Sequence, residues 1–262
     1  VSSLFRYQLF DGFHIMYIVI SLLLTGGILY LASKYLKKES HKEVFLKFWG
    51  LITFLLHISP LWLDFLRNGQ ASVADNMLFP IFFCNLSMFL LMITSFISNK
   101  KTIGFRYFAT VTAYAGSFGA LISLFYPQYY LEGSRMTWGI MKSMLSHSTM
   151  LVGCAYLMIG KYFKIERKNT IIYTIGLLGF GFIGILVNLT FKLAGLYDPA
   201  TGYPNAMFLL RPPIEDVKFL NFFVISIGMI LLVYIFSYLM EKISKKFQLT
   251  VIPVYLEETR QI

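Results

Sequence analysis

The chain has 262 residues, 57% hydrophobic and 18% aromatic but only 14% charged, with a mean hydropathy of +0.66. Soluble domains average about 45–50% apolar and about 25% charged residues, so this composition excludes a soluble globular protein and points to one embedded in a bilayer. Two cysteines are too few for a disulfide framework, and the net charge of +10 raises a nucleic-acid partner that the placement of the basic residues makes unnecessary.

Apolar runs of about 20 residues, enough to cross the hydrocarbon core, are expected at 13–34, 43–66, 77–98, 104–126, 138–160, 170–195 and 216–240. The fold class that follows is an all-α membrane protein with seven transmembrane helices in a single domain, 1–262, without repeats or a soluble module. The first run is long enough to span, so no separable signal peptide is read. Connections are short except "LYDPATGYPNAMFLLRPPIE" at 196–215, whose turn formers suggest a lid over one mouth.

Basic residues fall on alternate connections. Lys34, Lys37, Lys38 and Lys42 follow the first span, Lys100, Lys101 and Arg106 the third, and Lys161, Lys164, Arg167 and Lys168 the fifth. Lys242, Lys245, Lys246 and Arg260 occupy the tail, whereas the opposite side holds Arg6, Arg67, Arg135 and Arg211. Because basic loops stay cytoplasmic, the N-terminus is expected outside and the C-terminus in the cytoplasm. Lys47, Lys142, Lys192 and Lys218 lie near span ends and read as snorkelling side chains. The chain is thus expected to be a multi-pass protein of the cell membrane in contact with lipids, with no nucleic-acid partner; a membrane-protein partner is compatible with this reading.

At about 1.5 Å per residue, Cys84 and Asn188 fall about 10 Å, and His57 and His147 about 13 Å, below the outer boundary. His14, Asp64, Asp216, Lys218 and Asn221 are shallower on the same side. Polar side chains in hydrocarbon need partners or a wet cavity, so a cluster confined to one leaflet reads as a cavity open to that side. Pro60 frees the carbonyl of Leu56 beside His57, and Pro80 that of Asn76 above Cys84, as expected where helices line a cavity. The other reading is that these serine, asparagine and histidine side chains are hydrogen-bonding glue between helices.

A membrane cysteine is ordinarily a small hydrophobe, but a thiol with a base at matching depth has the parts of a nucleophile, and Cys84 with His147 meets that condition. Cys154 lies seven residues beyond His147, in the inner half of the span, and reads as packing. The two cysteines are too far apart in depth to be bridged. His14, His57, His147 and Cys84 lack the usual ligand spacing, so no metal and no other cofactor is expected.

Four segments resemble a known family. "FPIFFCNLSMFLL" is similar to the cysteine segment of bacterial YwaF-like integral membrane proteins. "DGFHIMYIVISLLL" resembles their first-span histidine segment, giving His14, and "MLSHSTMLVGCAYL" the fifth-span histidine segment, giving His147. "PNAMFLLRPP" resembles a later asparagine segment, giving Asn205, with Asn188 matching an asparagine upstream. Phe82 stands where the family has a histidine two residues before the cysteine, and Ala206 where it has a tyrosine. The family includes a vertebrate transmembrane lipid acyltransferase whose motif cysteine is the proposed acyl acceptor. The resemblance therefore implies acyl transfer or acyl hydrolysis on a phospholipid or lysolipid. Cys84 and His147 would be catalytic, Asn188 or Asn205 would donate to the oxyanion, and His14 and His57 would line the cavity. The rival expectation is a non-catalytic membrane protein that binds a lipid or small molecule, or serves as a subunit.

Overall fold

The computed structural model describes residues 7–68, 79–133, 136–195, 205–213 and 217–246. Asn76, Asp216, the side chain of Asp64 and residues 196–204 of the expected lid lie outside them. The described residues form the helices α1 (Gly12–Tyr35), α2 (Glu39–Asn68), α3 (Phe83–Phe96), α4 (Ile103–Phe125), α5 (Gln128–Glu132), α6 (Trp138–Ile159), α7 (Asn169–Leu193) and α8 (Phe222–Lys246). A 3-10 turn, Ala206–Phe208, lies between the last two.

Among the described residues, five stretches are long and apolar enough to cross a membrane: Gly12–Tyr35, Glu39–Leu63, Ile103–Leu131, Asn169–Leu193 and Phe222–Ser244. Large apolar side chains such as Leu23, Ile171, Leu193 and Phe223 point outward from α1, α7 and α8. In water such faces would each forfeit about 1.5–3 kcal/mol per side chain, so the surface is made for lipid. The protein is a multi-pass membrane protein.

α4 and α6 form the centre. α6 packs on α1, α2, α3 and α4, and α4 also carries α3 and α7. Close approach needs small residues. A Cβ at Gly116 of α4 would collide with Sγ of Cys154 on α6, so Cys154 is a packing residue, as expected.

Many buried hydroxyls do act as glue. Thr53 bonds Thr149 between α2 and α6 at 3.0 Å, and Thr94 bonds Thr112 between α3 and α4 at 3.0 Å. Tyr114 bonds Ser237 between α4 and α8 at 2.9 Å, and Tyr17 donates to the Met144 carbonyl of α6 at 2.8 Å. Pro60 sits inside α2, which continues through it because Ser59 donates to the stranded Leu56 carbonyl at 2.7 Å. Trp138 of α6 in turn donates to the Ser59 hydroxyl at 2.9 Å.

Two expected spans differ from the helices formed. Among the described residues, the run at 77–98 is helical over Phe83–Phe96, 14 residues, or about 21 Å. Pro80 therefore precedes the helix instead of kinking it. Asn85 Oδ1 accepts the Phe82 N–H at 3.0 Å, and the Ile81 carbonyl accepts the Met207 N–H at 2.7 Å, so the chain is diverted before α3 begins. The opposite end of α3 is closed by Lys100, which donates to the carbonyls of Ile97 at 2.7 Å and Ser95 at 3.2 Å. A cation there also offsets the negative end of the helix dipole. The run at 216–240 starts late, at Phe222, because Asn221 Oδ1 accepts the N–H groups of Phe223 and Val224 at 3.1 and 3.2 Å.

Candidate functional site

Cys84 is the second residue of α3, with Phe82 as N-cap. A helix start presents unpaired N–H groups and the positive end of the dipole, which favours negative charge. Cys84 as a residue is half-buried and packs against the main apolar core.

Lys142 lies in the second turn of α6 and is only 7% exposed. Its ammonium donates to the backbone carbonyl of His57 at 3.4 Å, and no carboxylate among the described residues pairs with it. Lys142, expected to snorkel, is turned inward. A buried ammonium costs several kcal/mol unless compensated. The sequence signal was its i, i+4 spacing to Ser146, one residue before His147, which sets the three on the packed side of α6.

His147 is 8% exposed. Nδ1 lies 2.6 Å from the Ser143 carbonyl, which can only accept, so Nδ1 carries the proton and Nε2 presents its lone pair. That Nε2 is buried and has no hydrogen-bond partner, the Cys84 thiol included. His57 is buried on α2 with its ring edge-on to Phe89, and its backbone carbonyl holds Lys142.

The asparagines build the wall. Asn188 of α7 clamps Ala206 from both sides, accepting its N–H at 2.9 Å and donating to its carbonyl at 3.3 Å. Asn205 Oδ1 accepts the N–H groups of Leu210 and Arg211 at 2.9 and 3.2 Å, and Nδ2 donates to the Arg211 carbonyl at 2.7 Å. Met207 and Phe208 both have φ near +55°, left-handed values that cost a non-glycine residue about 1–3 kcal/mol each. The strain is held by the clamp and by Gly184, where any Cβ would come within 2.7 Å of Met207 Cγ. Phe208 is thereby set against Phe82 at 5.5 Å and Phe83 at 6.4 Å. These residues border an open cavity of about 430 Å³ lined by Ile81, Phe82, Gln128, Asn205, Phe208, Arg211, Pro212, Pro213 and Lys218. Phe82 stands between that cavity and the helix start bearing Cys84.

Residues 9–246 match the TMEM164 family, a family of transmembrane proteins. The chain belongs to the TMEM164 family. No curated protein and no solved structure matches it. The matched range contains Cys84, His147, Lys142 and both asparagines, and all four segments on which the resemblance rested. Among the described residues of this TMEM164 chain, no three His, Cys, Asp or Glu side chains converge as metal ligands would.

His14 sits away from the thiol and is consumed structurally. Nδ1 accepts the Phe10 N–H at 2.9 Å, so Nε2 carries the proton and donates to the Leu124 carbonyl at 2.9 Å, tying α1 to the end of α4. Beside it Asp11 caps α1, accepting the His14 N–H at 2.8 Å and the Tyr130 hydroxyl at 2.8 and 2.7 Å. Burial alone would push the Asp11 carboxyl up, but hydrogen bonds from Tyr130, His14 and Gln8 hold it below the ordinary 3.8. A carboxylate with a lowered folded value stabilises the fold above the unfolded value, and that contribution is lost as pH falls through the folded one. The thermal midpoint should therefore fall between about pH 5 and about pH 3 in wild type and fall less in Asp11→Asn. At neutral pH the variant keeps an oxygen for the His14 N–H but weakens the bond from the Tyr130 hydroxyl to the carboxylate, so it should be weaker by about 1 kcal/mol, as measured by unfolding in detergent.

Proposed function

We propose that this protein is a lipid acyltransferase or acyl hydrolase of the cell membrane, in which Cys84 is the acyl-accepting nucleophile. The observation that carries this reading is a thiol in the first turn of a helix, where unpaired N–H groups favour negative charge, in a chain that also buries the Lys142 ammonium without a carboxylate partner among the described residues. In this reading the chain is one helical domain crossing the bilayer seven times with the N-terminus outside, so the cavity opens on the outer leaflet. The same proposal takes in the kinship to bacterial YwaF-like proteins, supported by the four segments quoted above.

The thiol proton passes to Nε2 of His147, and the sulfur attacks the ester carbonyl of a phospholipid. The C–S bond forms as the ester C–O bond breaks, and His147 returns the proton to the departing alkoxide, releasing a lysolipid. A second lysolipid hydroxyl, or water, then gives its proton to His147 and attacks the thioester, regenerating the thiol. Lys142 balances the charge on sulfur and on the tetrahedral oxyanion, which takes over the task expected of Asn188 and Asn205, whose amides are already bonded to backbone. His147 Nε2 and the thiol must come into contact during the reaction, since catalytic hydrogen bonds often tighten only in the reacting complex.

A non-catalytic lipid-binding role is favoured by one observation, the phenyl ring of Phe82 where the family pattern has an imidazole. The two readings separate on trapping. Purified protein incubated with a phospholipid bearing an alkyne-tagged acyl chain should acquire the tag at Cys84, removable by neutral hydroxylamine. Lipid retained without any covalent tag would establish the binding role instead.

A further inference from the structure

The open cavity beside Phe82 has walls of opposite character. Phe82, Phe208 and Ile81 supply an apolar face, while Arg211 and Lys218 bring two cations and Gln128 and Asn205 two amides. Among the described residues, no carboxylate lines it. Its basic members come from the segment between α7 and α8, its apolar members partly from the residues that lead into α3, and Gln128 from α5, so three distant parts of the chain make one pocket. None of the ion pairs among the described residues uses Arg211 or Lys218.

Arg211 is also held in place. Its backbone N–H and carbonyl are both bonded to the Asn205 amide, and that turn is anchored through Ala206 to Asn188. A guanidinium on a pinned backbone loses less freedom on binding and matches the paired oxygens of a phosphate. Cations serving only to hold the surface at a lipid interface would not need a polar cradle whose far wall is aromatic.

We propose that Arg211 and Lys218 form the phosphate site for the headgroup of the lipid substrate, with its chain running along Phe208 and Phe82 toward Cys84. The inference rests on the lipid reading above and deepens it. It makes the site selective for lipids carrying a phosphate mono- or diester over neutral glycerides of the same chain. Arg211 supplies the paired hydrogen bonds and Lys218 a point charge, and Asn205 is a positioning residue that fixes Arg211.

The test is binding in Cys84→Ala protein in a neutral detergent, so that no chemistry is needed and loss of the acyl-transfer reading would leave the outcome intact. A fluorescent lysophospholipid is compared with a monoacylglycerol bearing the same labelled chain. The lysophospholipid should bind at least about tenfold more tightly, as expected for charge-assisted hydrogen bonds to phosphate. In Arg211→Gln/Lys218→Gln that preference should shrink to about twofold or less while monoacylglycerol affinity and the thermal midpoint stay unchanged. Added salt should weaken the lysophospholipid alone, through screening. Three results would overturn the assignment: no preference in the parent protein, a preference that survives in the double variant, or inorganic phosphate saturating the site without affecting the lipid. Equal loss of both ligands in the double variant would also overturn it, since the cations would then be shaping the pocket and not reading phosphate.

Discussion

Lys142→Met is expected to lower acyl transfer by roughly a hundred- to a thousandfold while leaving the folded protein as stable as before or more so. The rate loss follows from removing a cation aimed at charge that develops during reaction, an effect worth about 2.7–4 kcal/mol for a well-placed donor in a water-poor site. The stability result has the opposite sign from most core substitutions. The Lys142 ammonium is 7% exposed and has one hydrogen bond of 3.4 Å, so folding strips its water and returns little. Methionine keeps the chain volume without that cost, and the His57 carbonyl it leaves behind retains its place in α2. Turnover of a defined phospholipid in proteoliposomes and thermal unfolding of the same preparation give the two readouts. A variant that loses stability and activity together would mark Lys142 as a structural residue. Cys84→Ala should reach the floor of activity alone, and adding Lys142→Met to it should cost nothing further, because both act on one sulfur.

The second large effect belongs to Asn188, which touches no reacting atom. Asn188→Leu should lower stability by about 1–3 kcal/mol, since it leaves the N–H of fully buried Ala206 without its partner and leaves the Ala206 carbonyl with only the 3.3 Å bond from the Leu209 N–H. It should also lower activity, because Ala206 anchors the turn that holds Phe208 on Phe82 and presents Arg211 to the cavity. Asn188→Asp keeps the acceptor for the Ala206 N–H and loses the donor to its carbonyl, so it should fall between wild type and leucine. Gly184→Ala strikes the same docking from the other side, forcing Met207 and Leu209 outward from contacts of 2.7 to 2.9 Å with the new methyl. The two losses should be less than additive, since either one alone releases the turn. Thermal midpoints of the two single variants and the double variant in one detergent measure this. Strict additivity would show that Asn188 and Gly184 stabilise separate parts of the fold.

The helices at 13–34, 104–126, 138–160 and 170–195 were legible within one or two residues of the observed ends. Apolar length is dictated by the bilayer, and it is written continuously along the chain. Cys84 and His147 stood out for a similar reason, because nucleophiles and bases are rare in such runs. The start of α3 was not legible. Residues 77–82 are as apolar as a helix, and what ends the helix at Phe83 is a hydrogen bond from Met207, more than a hundred positions away. The role of the asparagines was hidden likewise. An amide in a span reads equally as a donor to substrate or as a clamp, and the backbone of Ala206 decided for the clamp.

Sequence alone thus determined the class of the protein, its helical composition and the presence of an unusual thiol, all of which follow from local composition and period. Tertiary structure decided the surroundings of that thiol. It turned Lys142 inward onto the His57 carbonyl, brought the strained turn at Met207 and Phe208 against Phe82, and occupied His14 with the end of α4. Each of these depends on which backbone groups lack a partner once the helices have packed, a quantity fixed by contacts between distant segments and carried by no single stretch of sequence.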